Sequence, residues 1–162
     1  MRAYDARIIA RTAARLAGAA LIGLAAACSD DPTGPSGPLQ ATLTGPAQIT
    51  AEFTEGFTRC DYAVKLAVQG GAAGEQVTLE KLRLEWRLPN GQPIPGHDPE
   101  DVPAAELADD WFETVSVSRG QQLTADRWVS ATPHQEFQFV HTLTYRVGNG
   151  APQTASYTLT CK

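Results

Sequence analysis

Three features of this chain of 162 residues predict an all-β fold, an antiparallel β-sandwich of about seven to eight strands occupying residues 39–162. Apolar and polar residues alternate with a period of two over long runs, as in strands with one buried face. Glycine, proline and asparagine turn signals separate those runs at sandwich spacing. Helical periodicity is almost missing. At roughly 120 residues, the segment is long enough for one hydrophobic core and too short for two.

The chain before this segment divides into a leader, 1–27, and a linker, 28–38. Arg2, Arg7, Arg11 and Arg15 stand against Asp5 alone, ahead of an uncharged run of 12 residues, 16–27. A membrane-spanning helix takes about 20 apolar residues, so the run reads as the apolar region of a signal peptide. No two arginines are adjacent, which favours the general secretory route over the twin-arginine one. Two processing readings stay open at its end. Ala25-Ala26-Ala27 is an A-x-A site for ordinary signal peptidase. The same stretch resembles the lipobox of bacterial lipoproteins at Ala26, Ala27 and Cys28, with Leu24 one place ahead of the usual position. That resemblance implies a diacylglycerol thioether on Cys28 and an N-acylated mature terminus, palmitate being a typical acyl chain. An odd thiol in an exported protein needs an explanation, and a lipid on Cys28 supplies one. It leaves Cys60 and Cys161 to form a disulfide in an oxidising compartment.

Residues 29–38 read SDDPTGPSGP, with three prolines, two glycines and no large apolar side chain. Such a segment buries nothing and serves as a tether, holding the domain up to roughly 30 Å from the lipid. Ser29 directly after the cysteine resembles the pattern that sorts lipoproteins to the outer membrane rather than the inner, and Asp30-Asp31 resembles a surface-export tag. The expected location is the cell envelope, with the membrane contacted through the N-terminal lipid. Taking the leader's net of +3 from the chain's −5 leaves −8. Nucleic acid would call for a basic stripe and an anionic lipid surface for a polybasic segment; the sequence has neither.

Within the domain, 40–44 and 48–53 are short β-prone runs around Gly45-Pro46, read as two short strands or one interrupted edge strand. Residues 57–69 place Cys60, Tyr62, Val64, Leu66 and Val68 on one face, and Gly70, Gly71 and Gly74 end the run. In 77–88 the apolar phase slips between Leu79 and Leu82, which predicts a β-bulge near Glu80-Lys81. Pro89-Asn90-Gly91 then turns the chain. The stretch 92–110 carries four prolines and a run of acids, and its only ordered part is expected to be a helical turn over 104–111. Loops this long are commonly functional, so the expected site, if any, is 92–112. Strands follow at 113–118 and 123–130 around Arg119-Gly120. Phe137, Phe139, Leu143, Tyr145 and Val147 alternate, as do Ala155, Tyr157, Leu159 and Cys161, with Gly148-Asn149-Gly150 between them as a hairpin turn.

An early cysteine, Trp86 and a late cysteine within such a strand set are similar in outline to the immunoglobulin-like sandwiches of bacterial surface proteins. Trp86 follows Cys60 by 26 residues, and Leu159 stands where antibody domains carry a tyrosine two places before the second cysteine.

Chemistry is sparse. His97, His134 and His141 form no metal-ligand spacing and are expected on loops or solvent faces. There is no Gly-x-Ser-x-Gly elbow, phosphate loop or dinucleotide fingerprint. No enzyme activity, cofactor or metal is expected. The acids Asp98, Glu100, Asp101, Glu106, Asp109 and Asp110 lack the alternating calcium-loop pattern and read as a solvated loop. Trp111, Phe112 and Trp128 offer either a stacking platform for sugar or, for at least two of them, core filling. The expected function is a lipid-anchored binding or structural module with an envelope protein or glycan as partner. A glycan- or small-ligand-binding accessory domain using Asp98, Asp101, Trp111 and Phe112 is the alternative, and a hydrolase with an unrecognised site a third. On the lipid reading, Cys28→Ala moves the protein from the membrane fraction to the soluble fraction; unchanged partitioning into detergent would refute it.

Overall fold

The computed structural model describes residues 37–54, 56–132 and 135–162. Cys28 and His134 lie outside the described residues. One sheet contains β1 (Gln40–Thr44), β3 (Glu52–Thr54), β4 (Phe57–Gln69) and β8 (Gln122–Ala131). The other contains β2 (Gln48–Ile49), β5 (Gln76–Arg87), β6 (Glu100–Pro103), β7 (Ser116–Ser118), β9 (Phe137–Val147) and β10 (Gln153–Cys161). The fold is therefore an all-β sandwich. No described helix is long and apolar enough to cross a membrane.

β4 is the spine of the first sheet because its alternation is unbroken: each even-numbered residue from Thr58 to Val68 is buried. β8 occupies one edge of β4, and β1 and β3 share the other at its two ends. In the second sheet β9 lies between β5 and β10, while β6 and β7 share the far edge of β5. β2 runs parallel to the end of β10, and every other pairing is antiparallel. β4 with β8, and β5–β9–β10, follow the pairing of immunoglobulin strands B with E and C–F–G.

The bulge falls where the phase slip demands it. Register shifts between Leu79 and Lys81, so Glu80 is the extra residue and Leu79 and Leu82 both reach the core. The Glu80 carboxylate pairs with Arg146 on β9, which gives the displaced residue a solvent-side partner. At the end of β4, Gly70 has φ 77°, and a Cβ there would stand 2.4 Å from the Pro38 carbonyl oxygen. Only glycine allows the linker's end to pass that close.

Three local expectations are corrected. The run 48–53 splits into β2 and β3, which join different sheets. Within 113–118 only Ser116–Ser118 is a strand, because Glu113 sits at φ 61° and turns the chain. The long connection also holds more than a helical turn: Glu100–Pro103 pairs with β5 before Ala104. These changes give ten strands among the described residues.

Cys60 and Cys161 are bonded, with Cα atoms 6.0 Å apart, and join β4 of one sheet to β10 of the other. Both are buried. The bridge closes a loop with a sequence separation of 101, for which loop entropy allows up to about 4.7 kcal/mol and practice more often 2 to 4. The double variant Cys60→Ser/Cys161→Ser is accordingly expected to lose about 2 to 4 kcal/mol in urea unfolding, and native protein should show no alkylatable thiol from this pair.

Candidate functional site

Among the described residues β8 is paired on one side only, and its other edge faces β5 and the 92–112 segment. Past the bulge, Leu82, Leu84 and Trp86 share the inward face of β5. The Trp86 indole Nε1–H donates to the Ser130 carbonyl of β8 at 3.0 Å, tying the two sheets at this edge. Beside that tie lies a cleft of about 330 Å³, with Tyr62, Leu84 and Phe139 at its base and Trp86, Trp111 and Arg127 among its walls. Its size sits at the lower end of small-molecule sites, about 300 to 1,000 Å³.

The chain reaches the cleft mouth through one helical turn, α1 (Ala104–Glu106), and a π turn, Leu107–Trp111. The Phe112 N–H donates to the Leu107 carbonyl at 2.8 Å, five residues back. Leu107 and Phe112 are buried and anchor the turn, leaving Trp111 half-buried at the mouth. Such widened turns recur at functional sites.

Arg127 is in phase with the buried Ala125 and Val129, so it points into the sandwich rather than out. Its guanidinium carbon lies 4.6 Å from the centroid of the Trp111 ring. Nη1 donates to the Asp126 carbonyl at 3.4 Å. Nε and Nη2 are buried and have no hydrogen-bond partner among the described residues. Burial lowers the pKa of this arginine, and the nearby Asp110, Tyr62 and Asp126 oppose that shift.

Beneath the cleft, Tyr62 Oη and His141 Nε2 are hydrogen-bonded at 2.8 Å between β4 and β9. The His141 ring lies 4.6 Å from Phe139, 5.2 Å from Tyr157 and 6.3 Å from Trp111, centroid to centroid. The expectation that His141 sits on a loop or solvent face is thus corrected. Its odd-numbered place in β9 carries it inward with Phe139 and Leu143, and it has no exposure at all. Burial pushes its pKa down to about 4, opposed by the backbone of Tyr157 and Phe139. Burial likewise raises Tyr62, and takes Tyr157 up to about 12.

Of the residues singled out from sequence, Trp111 lines the cleft and Trp128, 59% exposed, reaches its rim, with the Arg59 guanidinium 5.0 Å from its ring. Phe112 is core and meets no ligand space. Asp101 is held by Lys81 at 3.3 Å and Arg83 at 3.4 Å on the surface of β5 and β6, and Asp98 is exposed outside the cleft. His97 enters the wall, its ring 5.7 Å from Trp86 and its Nε2 3.1 Å from the Thr132 carbonyl oxygen. No group of three or more His, Cys, Asp or Glu among the described residues could hold a metal ion. Arg127, Tyr62 and Trp86 were not singled out as site residues; for Arg127 the readable signal is its phase with Ala125 and Val129.

No protein-family model matches this chain, and no curated protein matches it significantly. Among solved structures, a Bordetella pertussis protein assigned the name ApaA is similar over 75% of this chain and 92% of its own, at 10% identity and a TM-score of 0.48. The CARDB domain of the PF1109 protein from Pyrococcus furiosus, solved in complex with di-metal ions, covers 77% of this chain and 88% of its own. Its identity is 16% and its TM-score 0.34.

The buried His141 makes stability depend on pH. Its folded pKa of about 4 lies below the unfolded value of 6.5, so the unfolded chain takes up a proton that the fold refuses. The stability is fully present above pH 6.5 and is lost as pH falls toward 4, by roughly 3 kcal/mol. Urea midpoints measured at pH 7 and pH 4.5 should separate clearly in the native protein and draw together in His141→Phe.

Proposed function

We propose that the protein is a lipid-anchored envelope protein whose β-sandwich is a non-catalytic binding module, and that its ligand seat is the cleft between the free edge of β8 and β5–β6. The observation that carries this reading is that Trp86 and Trp111, together with Tyr62 and Phe139, line one concavity of about 330 Å³. Indole faces attract ring-shaped ligands through dispersion, and a few polar groups set orientation. The apolar faces of sugars suit such walls, so a glycan is the favoured ligand class. Support for a non-catalytic role comes from His141. It pairs with a hydroxyl as a general base would, yet it has no exposure from which to meet a substrate. The lipid anchor rests on Cys28 and the apolar run before it, and the acidic domain behind the tether fits no nucleic-acid partner.

Screening the Cys28→Ala protein on a glycan array tests the seat. Native cleft residues are expected to capture at least one glycan class, with Trp111→Ala weakening capture tenfold or more and leaving the melting temperature within a few degrees. An array with no captured glycan would overturn the glycan reading, and capture indifferent to Trp111 would move the seat elsewhere.

A further inference from the structure

The cleft holds a feature that aromatic walls alone do not require. We propose that Arg127 makes it a seat for a ring-bearing carboxylate, an acidic sugar of the uronic acid class; this rests on the cleft being the ligand seat, as argued above. The two N–H groups of Arg127 without partners are Nε and Nη2. They form one edge of the guanidinium, the edge that grips a carboxylate with two parallel bonds. The same chain shows that grip at Arg59, whose Nε and Nη2 meet the two carboxylate oxygens of Asp61 at 3.1 and 2.6 Å. At Arg127 the remaining nitrogen is occupied by the Asp126 carbonyl and the flat face lies against Trp111. What is left is a planar, charged, two-donor edge, closed to water, on a residue that lines an aromatic cleft.

The charged groups around this edge do not fill it. Asp110 and Asp126 act on Arg127 through space, but no carboxylate forms an ion pair with it among the described residues. Glu100 stands in the cleft wall as an exposed group. An acceptor brought by a ligand would therefore meet donors that have already lost water and gained nothing in exchange. The domain's net negative charge opposes an acid at long range, but salt screens that field beyond about 8 Å. Selection then rests on the two short bonds.

Trp111 lies over the face of the guanidinium and the edge beside it is closed to water, so entry of a carboxylate calls for a shift of the wall that carries that ring. Trp111 is half-buried and its turn is pinned through Leu107 and Phe112 on either side, so a rotation of the indole about its own side chain does not require the turn to unfold. Once displaced it can cover the ligand's ring face. Binding should consequently be visible in tryptophan fluorescence.

Calorimetry and fluorescence titration of the Cys28→Ala protein with D-glucuronate and D-galacturonate, against D-glucose and D-galactose, test this directly. The acids are expected to bind at least tenfold tighter than their neutral counterparts and to change the fluorescence, a change absent in Trp111→Phe. Arg127→Lys keeps the charge but not the two-donor edge, and Arg127→Gln keeps neither. Both should lose the preference for acids while melting no lower than the parent. Equal binding of acids and neutral sugars by the parent protein would overturn the proposal and leave the cleft as a glycan seat. Binding of neither, with an empty glycan array, would overturn both. An acid preference that survives in Arg127→Lys would overturn the two-donor edge as its cause, a result read on the folded variant by its melting temperature.

Discussion

The covalent link between Cys60 and Cys161 is the constraint around which the sandwich closes. It joins the spine of one sheet to the last strand of the other, and the parallel pairing of β2 with β10 ends at that same cysteine, opposite Ile49. The Ala51 N–H then donates to the Lys162 carbonyl at 2.7 Å, and the Lys162 N–H to Ile49 at 3.1 Å, so the chain's end is built into the sheet. Two weaker ties cross the interior farther along. Tyr62 meets His141, and Trp86 meets Ser130. A hydrogen bond of this kind contributes about 0.5 to 1.5 kcal/mol net, far less than the bridge. The sandwich is therefore held most firmly at the disulfide, and the cleft lies beside the weaker Trp86–Ser130 tie at the edge of β8.

Position alone does not make that edge a site. An unpaired strand edge invites pairing with other chains, and proteins blunt such edges with inward-pointing charges or with covering segments. β8 has both, in Arg127 and in the turn that carries Trp111 over it. The cost is visible as two buried N–H groups without acceptors, and leaving such a group unpaired costs about 1 to 3 kcal/mol. An apolar residue in place of Arg127 would fill the space at less expense to stability.

Much of this was legible in the sequence because period-two patterns are long in the elements that matter. β4, the β9–β10 hairpin and the bulge at Glu80 follow from alternation alone, and the two cysteines each lie on a buried phase of their strands. Short elements were not legible for the same reason. Gln48–Ile49 is too brief to carry a period, and Glu100–Pro103 has Val102 as its one buried side chain and a proline at its end. The site was half visible. Trp111 was marked by its residue type and by the length of its loop, but Asp98, Asp101 and Phe112 belong to surface and core, which sequence spacing does not distinguish there. His141 and Arg127 share one cause of concealment: each is a polar residue on an apolar phase, and alternation judged by hydrophobicity alone passes over it.

Edge protection and ligand binding make different demands on Arg127. A guard against strand pairing needs only charge, and the charge is cheapest where the head group reaches water. It gains nothing from turning Nε and Nη2 away from solvent. Asp110 and Asp126 are near enough to affect its titration, yet neither forms an ion pair with it among the described residues. Instead the guanidinium is oriented with its backbone-bonded nitrogen outward from the grip and its two-donor edge unspent. A structural role accounts for the charge on β8; it does not account for which two nitrogens are left over, and those two define the geometry of a carboxylate.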